Sequence, residues 1–403
     1  MSAAPKGPLH GLKVIELCHV MAGPVCGLML ADMGAEVIKV EKIPGGDDTR
    51  RTVPPKVGDE AASFLMMNRN KRGIALDLKT EGGKKVLHRL LDNADVVTEN
   101  YRAGAMERMG FGFEALRAKN PKLIYCAISG FGRTGPYADR GGFDLIAQGM
   151  SGLMSITGEG PGRPPVKVGA PVTDITAGIL AAMGVLAALH ARTQTGKGQF
   201  VDTSLFEAGI VQTYWQSAIP GAWGVARGPL GSAHPLNTPY QAFETKDGWI
   251  NLGAANQTTW LYLVKLLERS DLAQDPRFKD NSARIINREL LATTLAPEFR
   301  KRTRAEWLPA LEAARVPAGP VFDVLEMQAD PQTLARDMVV EAEHSRLGPV
   351  KTLGAPVKFS ETPSSVRRSA PVFGEHTREV MREYGFAEAE IAEMANAGAV
   401  HCA

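Results

Sequence analysis

The sequence predicts an α/β protein with a mostly parallel sheet, helices on both faces, and a smaller α+β domain. Short apolar segments alternate with segments of helical spacing through the first half of the chain. Near Pro220 this pattern gives way to a Gly-rich irregular stretch, a hairpin and further helices. The chain has 403 residues, of which 44% are hydrophobic and 22% charged, which suits one large and one small globular domain.

In the first half, each predicted strand is an apolar run, and each predicted helix shows helical spacing or a cap. The predicted strands are Leu12–Leu17, Val37–Val40, Ile74–Leu78, Val96–Val97, Leu123–Ile128 and Gln199–Thr203. The predicted helices are Gly23–Met33, Thr80–Leu91, Ala105–Lys119, an Ala- and Gly-rich helix ending near Arg192, and Leu205–Ser217. Repeated strand–helix–strand units favour a parallel sheet, and ligands of such sheets bind beyond the carboxyl ends of the strands.

The second half begins with a predicted hairpin at Tyr240–Leu252, with its turn at Lys246-Asp247-Gly248. Three predicted helices follow, at Thr258–Leu267, Glu289–Phe299 and Ala305–Ala314. We therefore predict a large domain at residues 1–224 and a small α+β domain at 225–330. The C-terminal segment, 331–403, is expected to return to the large domain, with a strand at Val357–Phe359 and helical sequence at Glu375–Met394.

Charge, cysteine usage and hydropathy limit the functional class. A net charge of +2 argues against a protein built mainly to bind nucleic acid. The four cysteines form no Cys-x-x-Cys pair, which favours free thiols in a reducing compartment. The N-terminus has no apolar signal core, and the run Ile179–Leu189 is shorter than the ~20 residues that span a bilayer. We expect a cytoplasmic protein that binds neither nucleic acid nor membrane.

Several common binding and catalytic motifs are either absent or lack the flanking sequence that their function requires. Gly130–Gly135 matches G-x-G-x-x-G, but no helical pattern begins before Phe143, so a dinucleotide site is disfavoured. Gly196-Lys197 is followed by glycine and reads as a helix C-cap instead of a P-loop. There is no G-x-S-x-G elbow, and the histidines form no metal-binding pattern, so we expect no metal.

Basic and polar residues cluster on the loops expected at the carboxyl edge of the sheet. They are His19, Lys42, Lys79, Asn100, Arg102, Arg108 and Arg140. Each alone is typical of a solvated surface, but their joint placement indicates an anionic ligand. A phosphorylated ligand with an adenine end would suit these cations, with apolar residues such as Leu76 against the base.

Asp174 stands where an extended segment, Lys167–Val172, meets the Ala- and Gly-rich helix. Taken alone, an aspartate at this position is more often a helix cap than a reactive group. A carboxylate held in a dry pocket can also act as a nucleophile. The residues by themselves leave both roles open.

Several blocks in order resemble the class III CoA-transferases, the family of formyl-CoA and carnitine-CoA transferases. The blocks are Leu30–Glu41, Asn68–Arg72, Glu99–Gly104, Gly132–Pro136, Gly142–Gln148, Thr173–Asp174, Thr195–Gln199 and Gly374–Thr377. The resemblance covers nearly the whole chain. The resemblance implies a large Rossmann-like, doubly wound domain, a smaller domain, and an interlocked homodimer in which each chain threads the other.

The resemblance also implies a chemistry and a set of contacts. Asp174 would attack an acyl-CoA thioester, forming an aspartyl anhydride and then an aspartyl-CoA thioester, from which a carboxylic acid takes the CoA. With an ordinary pKa near ~3.9, this carboxylate would need no general base. The implied CoA contacts are His19, Val20, Met21, Ala22, Lys42, Leu76, Lys79, Asn100, Tyr101, Arg102, Arg108, Arg140, Gly141, Phe143 and Asp144.

Departures from the family pattern narrow the substrate. Met21 stands where formyl-CoA transferase has a glutamine, and its tetraglycine loop has no clear match, which disfavours formyl-CoA and oxalate. Phe143 replaces the histidine of the related α-methylacyl-CoA racemases, which disfavours proton transfer. The chain looks most like succinyl-CoA:dicarboxylate enzymes, with Arg50, Arg51 and His234 as candidate partners of the acceptor carboxylate. A racemase and a non-catalytic CoA-binding subunit remain the alternatives.

Overall fold

The structure is a computed structural model that describes residues 6–403. Its strands are β1 (Lys13–Leu17), β2 (Glu36–Lys42), β3 (Lys56–Val57), β4 (Glu60–Ala61), β5 (Arg72–Leu76), β6 (Val96–Glu99), β7 (Ile124–Ser129), β8 (Phe200–Ser204), β9 (Tyr240–Thr245), β10 (Gly248–Gly253), β11 (Ala318–Pro320), β12 (Val339–His344), β13 (Gly348–Leu353) and β14 (Val400–His401).

The helices alternate with these strands in the first half of the chain and predominate in the second. They are α1 (Ala22–Asp32), α2 (Ala62–Met67), α3 (Glu81–Leu91), α4 (Ala105–Arg108), α5 (Phe113–Lys119), α6 (Asp144–Met150), α7 (Leu153–Ile156), α8 (Val172–Thr195), α9 (Leu205–Val211), α10 (Tyr214–Trp223), α11 (Gln257–Leu266), α12 (Ser270–Gln274), α13 (Asn281–Ile286), α14 (Arg288–Phe299), α15 (Arg304–Ala313), α16 (Val324–Ala329), α17 (Pro331–Ala335), α18 (Thr377–Glu383) and α19 (Glu388–Asn396), with a 3-10 turn at Asp48–Arg51.

The predicted parallel sheet is confirmed. Its order is β14-β5-β2-β1-β6-β7-β8, and every pairing is parallel except that of β14 with β5. Alternate residues of each strand point to opposite faces. Ile15 packs into a core with α3, α18 and α19, whereas its neighbour Val14 packs into a second core with α1 and α8.

Two compact units share the chain. One contains the chain through Leu153, Lys167–Ala218 and Pro331–Ala403, and holds the seven-stranded sheet. The other contains Met154–Val166 and Ile219–Asp330. It is built on the antiparallel sheet β11-β10-β9, which includes the predicted hairpin, and on a core around Trp260, Phe299 and Trp307.

Glycines interrupt some of the longer predicted helices. The helix predicted at Ala105–Lys119 is two helices, α4 and α5, separated by Gly110 at φ 89°. Gly385, at φ 84°, similarly separates α18 from α19. The strand predicted at Val357–Phe359 is wrong, because the backbone there is irregular. The caps predicted at Thr80 and Gly196 are confirmed: Thr80 Oγ1 accepts the Gly83 N–H at 3.0 Å, and Gly196 ends α8 in the left-handed conformation.

Helix α8 is the longest helix among the described residues, and it packs against α1, β7 and β8. Length and composition alone would let it cross a membrane, with a mean hydropathy of 1.9. Its Ala- and Gly-rich side is instead part of the core beside the sheet. A Cβ at Gly178 would lie 2.5 Å from the Ala22 carbonyl oxygen, so only glycine allows α8 to approach α1 this closely.

Candidate active site at the carboxyl edge of the sheet

Strand order places a crevice between β1 and β6. The chain runs from β1 outward to β2 and β5, then returns to the other side of β1 with β6. At such a switch point the loops after the two strands diverge and leave room for a ligand. Here these loops begin at Cys18 and Asn100, within two of the segments that the sequence predicted to bind a ligand.

His19 and Asn100 join the two loops by reciprocal hydrogen bonds. The His19 N–H donates to Asn100 Oδ1 at 2.9 Å, and Asn100 Nδ2 donates to the His19 carbonyl at 2.8 Å. His19 Nε2 lies 3.2 Å from the Tyr101 hydroxyl. Burial, and then the charge of Lys39, lowers the pKa of His19, so its ring is neutral at pH 7. Three predicted site residues are thus brought together.

Asp174 lies in the first turn of α8, close to where α8 meets α1. It is one turn before Gly178, the residue that packs on the Ala22 carbonyl. The N-termini of α1 and α8 are therefore side by side at the carboxyl edge of the sheet. Asp174 is the third helical residue, and no side chain caps α8 from the N-cap position, Pro171. The cap role that the sequence left open for Asp174 is wrong.

Asp144 provides the cap from a different helix. Its Oδ1 accepts the Thr173 N–H at 3.0 Å and the Thr173 hydroxyl at 2.7 Å. Its Oδ2 accepts from Gln148 Nε2 at 2.7 Å, and Gln148 Oε1 accepts the Val168 N–H at 2.8 Å. Both Asp144 oxygens are therefore engaged in holding together α6, α8 and the irregular segment that leads into α8.

The Asp174 carboxylate has no such partners. Within residues 6–403 it makes no hydrogen bond and no ion pair, although it is half-buried. Burial, and then the charge of Asp144, raises the pKa of Asp174 to about 7. This differs from the ordinary value expected from the sequence. A carboxylate with a raised pKa is also a stronger nucleophile once it is deprotonated.

Most of the predicted cations are exposed at this edge. Lys79, Arg102, Arg108 and Arg140 have no ion-pair partner within the described part of the chain. Arg140 lies over the Tyr137 ring at 4.0 Å. Lys42 differs, because it is paired with Asp48 at 2.8 Å. Unpaired guanidinium groups on neighbouring loops can bind phosphates without first breaking an ion pair.

The apolar and small predicted contacts fall into two groups. Leu76 and Ala22 are buried in the two cores, so Leu76 has no side-chain surface to offer an adenine in this structure. Phe143 is 78% exposed, at the start of α6. Met21 is half-buried and Gly141 is exposed, with Arg102 next to Gly141. The segment from Gly130 to Phe143 contains no helix, as predicted.

The residues suggested for the acceptor carboxylate are largely engaged elsewhere. Arg50 donates to both oxygens of Glu41 at 2.7 Å and stacks on Phe64 at 3.6 Å. Arg51 is paired with Asp48. His234 lies in the second unit, stacked on Tyr240. Arg50 is therefore a structural residue instead of a free anion-binding group.

Sequence reasoning missed a buried set of charges beneath the loop His19–Met21. Lys39 Nζ lies 2.8 Å from Asp47 Oδ2 and 3.1 Å from Glu16 Oε1, and Lys71 Nζ lies 2.8 Å from Glu16 Oε2. All four side chains have zero exposure. The signal was present, because Glu16 and Lys39 interrupt apolar strands and pair in register. Lys71 and Asn68, from the block read as a family signature, belong to this buried set, because Lys71 Nζ also donates to Asn68 Oδ1 at 3.0 Å. Arg69 and Asn70 of the same block bind Asp32 instead.

No group of three or more His, Cys, Asp or Glu side chains able to hold a metal ion is found among residues 6–403. The arrangement instead combines a partnerless carboxylate, two adjacent helix N-termini and unpaired cations. This combination suits a reaction in which an aspartate attacks an acyl group carried on a phosphorylated ligand.

Comparisons with known proteins show the family of this chain. The model of CoA-transferase family III matches residues 9–377. Human succinyl-CoA:glutarate CoA-transferase is 38% identical, over 98% of this chain and 90% of its own length. Succinate–glutarate CoA-transferase of Agrobacterium fabrum is 41% identical, over 94% of this chain and 96% of its own. Succinyl-CoA:mesaconate CoA-transferase of Haloarcula hispanica is also 41% identical, over 94% of this chain and 97% of its own length.

Solved structures show the same relationship. A CaiB/BaiF family protein from Brucella suis is 40% identical, with a TM-score of 0.85 over 94% of this chain and all of its own. A Mycobacterium tuberculosis protein is 31% identical, with a TM-score of 0.82 over 93% of this chain and 99% of its own. The chain belongs to CoA-transferase family III and is an enzyme of that family.

Proposed function

We propose that this enzyme moves CoA from succinyl-CoA to a dicarboxylic acid, through an aspartyl anhydride and an aspartyl-CoA thioester on Asp174. The relatives from man, Agrobacterium and Haloarcula support the substrates, because their names combine succinyl-CoA or succinate with glutarate or mesaconate. Both of those acids carry two carboxylates.

The observation that carries the mechanism is the partnerless Asp174 carboxylate. Because Asp144 caps α8, no hydrogen bond within the described residues has to break before Asp174 attacks. One Asp174 oxygen forms a bond to the thioester carbonyl carbon, and the C–S bond breaks with its electron pair going to sulfur. The products of this step are a mixed anhydride and the CoA thiolate.

The thiolate then attacks the Asp174 carbonyl carbon and releases the donor acid as a carboxylate. The acceptor carboxylate attacks the carbonyl carbon of the aspartyl-CoA thioester and releases the thiolate, which gives a second anhydride. The thiolate then attacks the acceptor carbonyl carbon of that anhydride and releases Asp174 as a carboxylate. Each step exchanges one anionic nucleophile for one anionic leaving group. No proton has to move, so the mechanism needs no general base once the Asp174 nucleophile is ionised.

Main-chain N–H groups are available for the oxyanions that form in these steps. Within residues 6–403, the N-cap residue Met21 makes no side-chain capping hydrogen bond to α1, whose first turn includes Ala22 and Gly23. The N-terminus of α1 contacts α8 at Gly178, one turn from Asp174. The free N–H groups and the helix dipole at this end of α1 can therefore stabilise negative charge near Asp174. Lys79, Arg102, Arg108 and Arg140 are proposed to bind the CoA phosphates.

The interlocked homodimer also belongs to this proposal. Large apolar side chains are exposed together on α6 and α8: Phe143, Leu145, Ile146, Ile175, Ile179 and Met183. A surface of this kind indicates a protein partner, and a second copy is the partner that the family resemblance implies. Light scattering of the purified chain should give twice the mass of one chain, and a monomer would contradict this part.

The experiment measures acyl-CoA exchange by chromatography with succinyl-CoA and either glutarate or pentanoate. Asp174→Asn should lower the rate at least about 10³-fold, because the nucleophile is lost. Asp92→Asn, an exposed aspartate at the end of α3, is the matched control and should keep the rate. Hydroxylamine should trap a hydroxamate on Asp174 after succinyl-CoA is added.

Full exchange by Asp174→Asn would overturn the mechanism. A preference for pentanoate over glutarate would overturn the dicarboxylate acceptor but leave the mechanism intact, because the two acids differ only in the second carboxylate.

A further inference from the structure

Val20 has a backbone conformation that its side chain does not favour. Its φ is 65°, in the left-handed region, where a β-branched residue is a genuine outlier. The other non-glycine residues at positive φ within the described chain are Asn, Glu, Arg and Asp, so Val20 is the one β-branched case. Its side chain is 42% exposed. Packing of that side chain therefore does not account for the conformation.

Hydrogen bonds to the main chain do account for it. The Val20 N–H donates to Asp47 Oδ1 at 3.1 Å. The preceding residue, His19, is fixed at both its N–H and its carbonyl by Asn100. The loop is therefore held from the β2 side by Asp47 and from the β6 side by Asn100. Strained backbone of this kind persists only where the surroundings over-determine it, and it concentrates at functional sites.

Asp47 is itself fixed by the buried charges. Its Oδ2 pairs with Lys39, and its Oδ1 also accepts the N–H and hydroxyl of Thr49, both at 2.9 Å. Lys39 further donates to the Cys18 carbonyl at 2.8 Å, two residues before Val20. Burial alone would raise the pKa of Asp47, but the Lys39 ammonium and the N–H donors hold it well below its ordinary value. Asp47 is therefore ionised across the working pH range.

Fold stability is a poor explanation for this arrangement. Four buried charges cost much desolvation energy, and apolar side chains of similar size would usually stabilise a core as well or better. What the charges do provide is a rigid acceptor beneath the loop between β1 and α1. That loop leads directly into the α1 N-terminus, which contacts the first turns of α8 at Gly178.

We infer that Asp47, supported by Lys39, Glu16 and Lys71, is a positioning residue for acyl transfer: it keeps Val20 left-handed and so fixes the loop His19–Met21 and the α1 N-terminus beside Asp174. This inference rests on the proposed function of Asp174. It assigns a role to four side chains that are fully buried and form their ion pairs with one another.

Two substitutions at Val20 test it without disturbing the buried charges. Val20→Pro removes the N–H that Asp47 accepts and forbids positive φ. Val20→Gly removes the same side chain, but it keeps the N–H and adopts positive φ without steric cost. We expect Val20→Pro to lower kcat for succinyl-CoA exchange about 10- to 100-fold. The loss in Val20→Gly should be several-fold smaller, and in both variants kcat should fall more than the KM for succinyl-CoA rises.

Asp47→Asn tests the other end of the same hydrogen bond. The asparagine amide has no negative charge to pair with Lys39, so the acceptor of the Val20 N–H is no longer held in place. We expect kcat to fall as in Val20→Pro. Adding Val20→Gly to Asp47→Asn should restore part of that kcat, because glycine no longer needs to be held at positive φ. Thr49→Val is the matched control: it removes a different donor from the same Asp47 oxygen and should retain most of kcat.

The outcomes separate this inference from the proposed function. If Val20→Pro keeps the kcat of the wild type, or if the Asp47→Asn and Val20→Gly losses simply multiply, the positioning role is wrong even though Asp174 remains essential. If wild type itself shows no Asp174-dependent exchange, the proposed function fails. Amide hydrogen exchange of the peptide around Val20 then tests whether Asp47 holds the loop His19–Met21. The exchange should be faster in Asp47→Asn and stay slow in Thr49→Val. Unchanged exchange in Asp47→Asn would overturn the inference.

Discussion

Asp47 and Asp174 are aspartates of the same unit, near the same edge of the same sheet, and their surroundings are opposite. Asp47 accepts three hydrogen bonds on one oxygen and pairs with Lys39 through the other. Asp174 has no partner within residues 6–403, and a second carboxylate, Asp144, faces the same helix turn. Burial by itself would raise both pKa values, but the Lys39 ammonium and the N–H donors lower the pKa of Asp47, whereas the pKa of Asp174 is raised to about 7.

These opposite surroundings distinguish a structural carboxylate, Asp47, from a reactive one, Asp174. A carboxylate whose oxygens are all hydrogen-bonded or ion-paired, such as Asp47, is a poor nucleophile, because it would lose those interactions when it attacks a substrate. A carboxylate without hydrogen-bond partners, such as Asp174, lowers the stability of the free enzyme when it is ionised. This destabilisation ends when the carboxylate becomes a neutral anhydride or thioester. Substitutions at these carboxylates and at their neighbours can break this contrast.

Lys39→Met should be strongly destabilising, because it leaves Asp47 and Glu16 buried without their shared cation. Removing one partner from a buried ion pair typically costs about 3–5 kcal/mol of unfolding free energy. Urea denaturation at pH 7 measures the change. Lys42→Met is the matched control on the same strand, since its pair with Asp48 is exposed and worth about 0–1 kcal/mol. Equal losses in the two variants would contradict the structural role of the buried charges.

Asp174→Asn should stabilise the protein at pH 8 by about 2–4 kcal/mol, because a pKa raised from near ~3.9 to about 7 penalises the ionised native state. The sign follows from proton binding: the folded chain binds the Asp174 proton more tightly than the unfolded chain does. The stability associated with that proton is complete below about pH 4 and is lost as the pH rises through 7. The gain from Asn should therefore vanish near pH 4. Urea midpoints at both pH values measure it, and a gain independent of pH would mean that Asp174 is not desolvated.

Local patterns allowed much of the fold to be predicted from the sequence. Apolar runs located the central strands, and the Thr80 and Gly196 caps are confirmed. Failures occurred where a single glycine stops a helix that its neighbours would continue, as at Gly110. Val357–Phe359 was apolar enough for a strand, but no strand pairs with it among residues 6–403.

The site was predictable only as a set of loops. The alternation of strands and helices located the loops that follow the strands, so His19 and Asn100 could be named in advance, but the switch point between β1 and β6 came only from the strand order of the structure. The roles within the site depend on contacts that are distant in sequence. Asp144 replaces Asp174 as the cap from 29 residues away, and Asp47 reaches Val20 across 27 residues. No local pattern encodes either contact, although charged residues inside buried strands, such as Glu16, were a usable signal.

The rate of CoA transfer should depend on pH through Asp174. Because only the ionised carboxylate attacks, kcat/KM for succinyl-CoA should rise about tenfold per pH unit below the pKa and level off above about 7. Asp144→Asn should move the midpoint of this profile to lower pH, since the charge of Asp144 contributes to the raised pKa. A flat profile between pH 5 and 8 would show that Asp174 has an ordinary pKa in the working enzyme.

Thr173→Val gives the smallest expected effect and tests whether Asp144 acts on Asp174 through its charge or through the cap. The change removes the 2.7 Å hydrogen bond from the Thr173 hydroxyl but leaves the main-chain N–H bond and the Asp144 charge. It should therefore cost about 1 kcal/mol of unfolding free energy. The midpoint of the pH–rate profile should not move, because the substitution leaves the Asp144 side chain beside Asp174 unchanged. If the midpoint moves as far as in Asp144→Asn, the orientation given by the cap, and not the charge, sets the reactivity of Asp174.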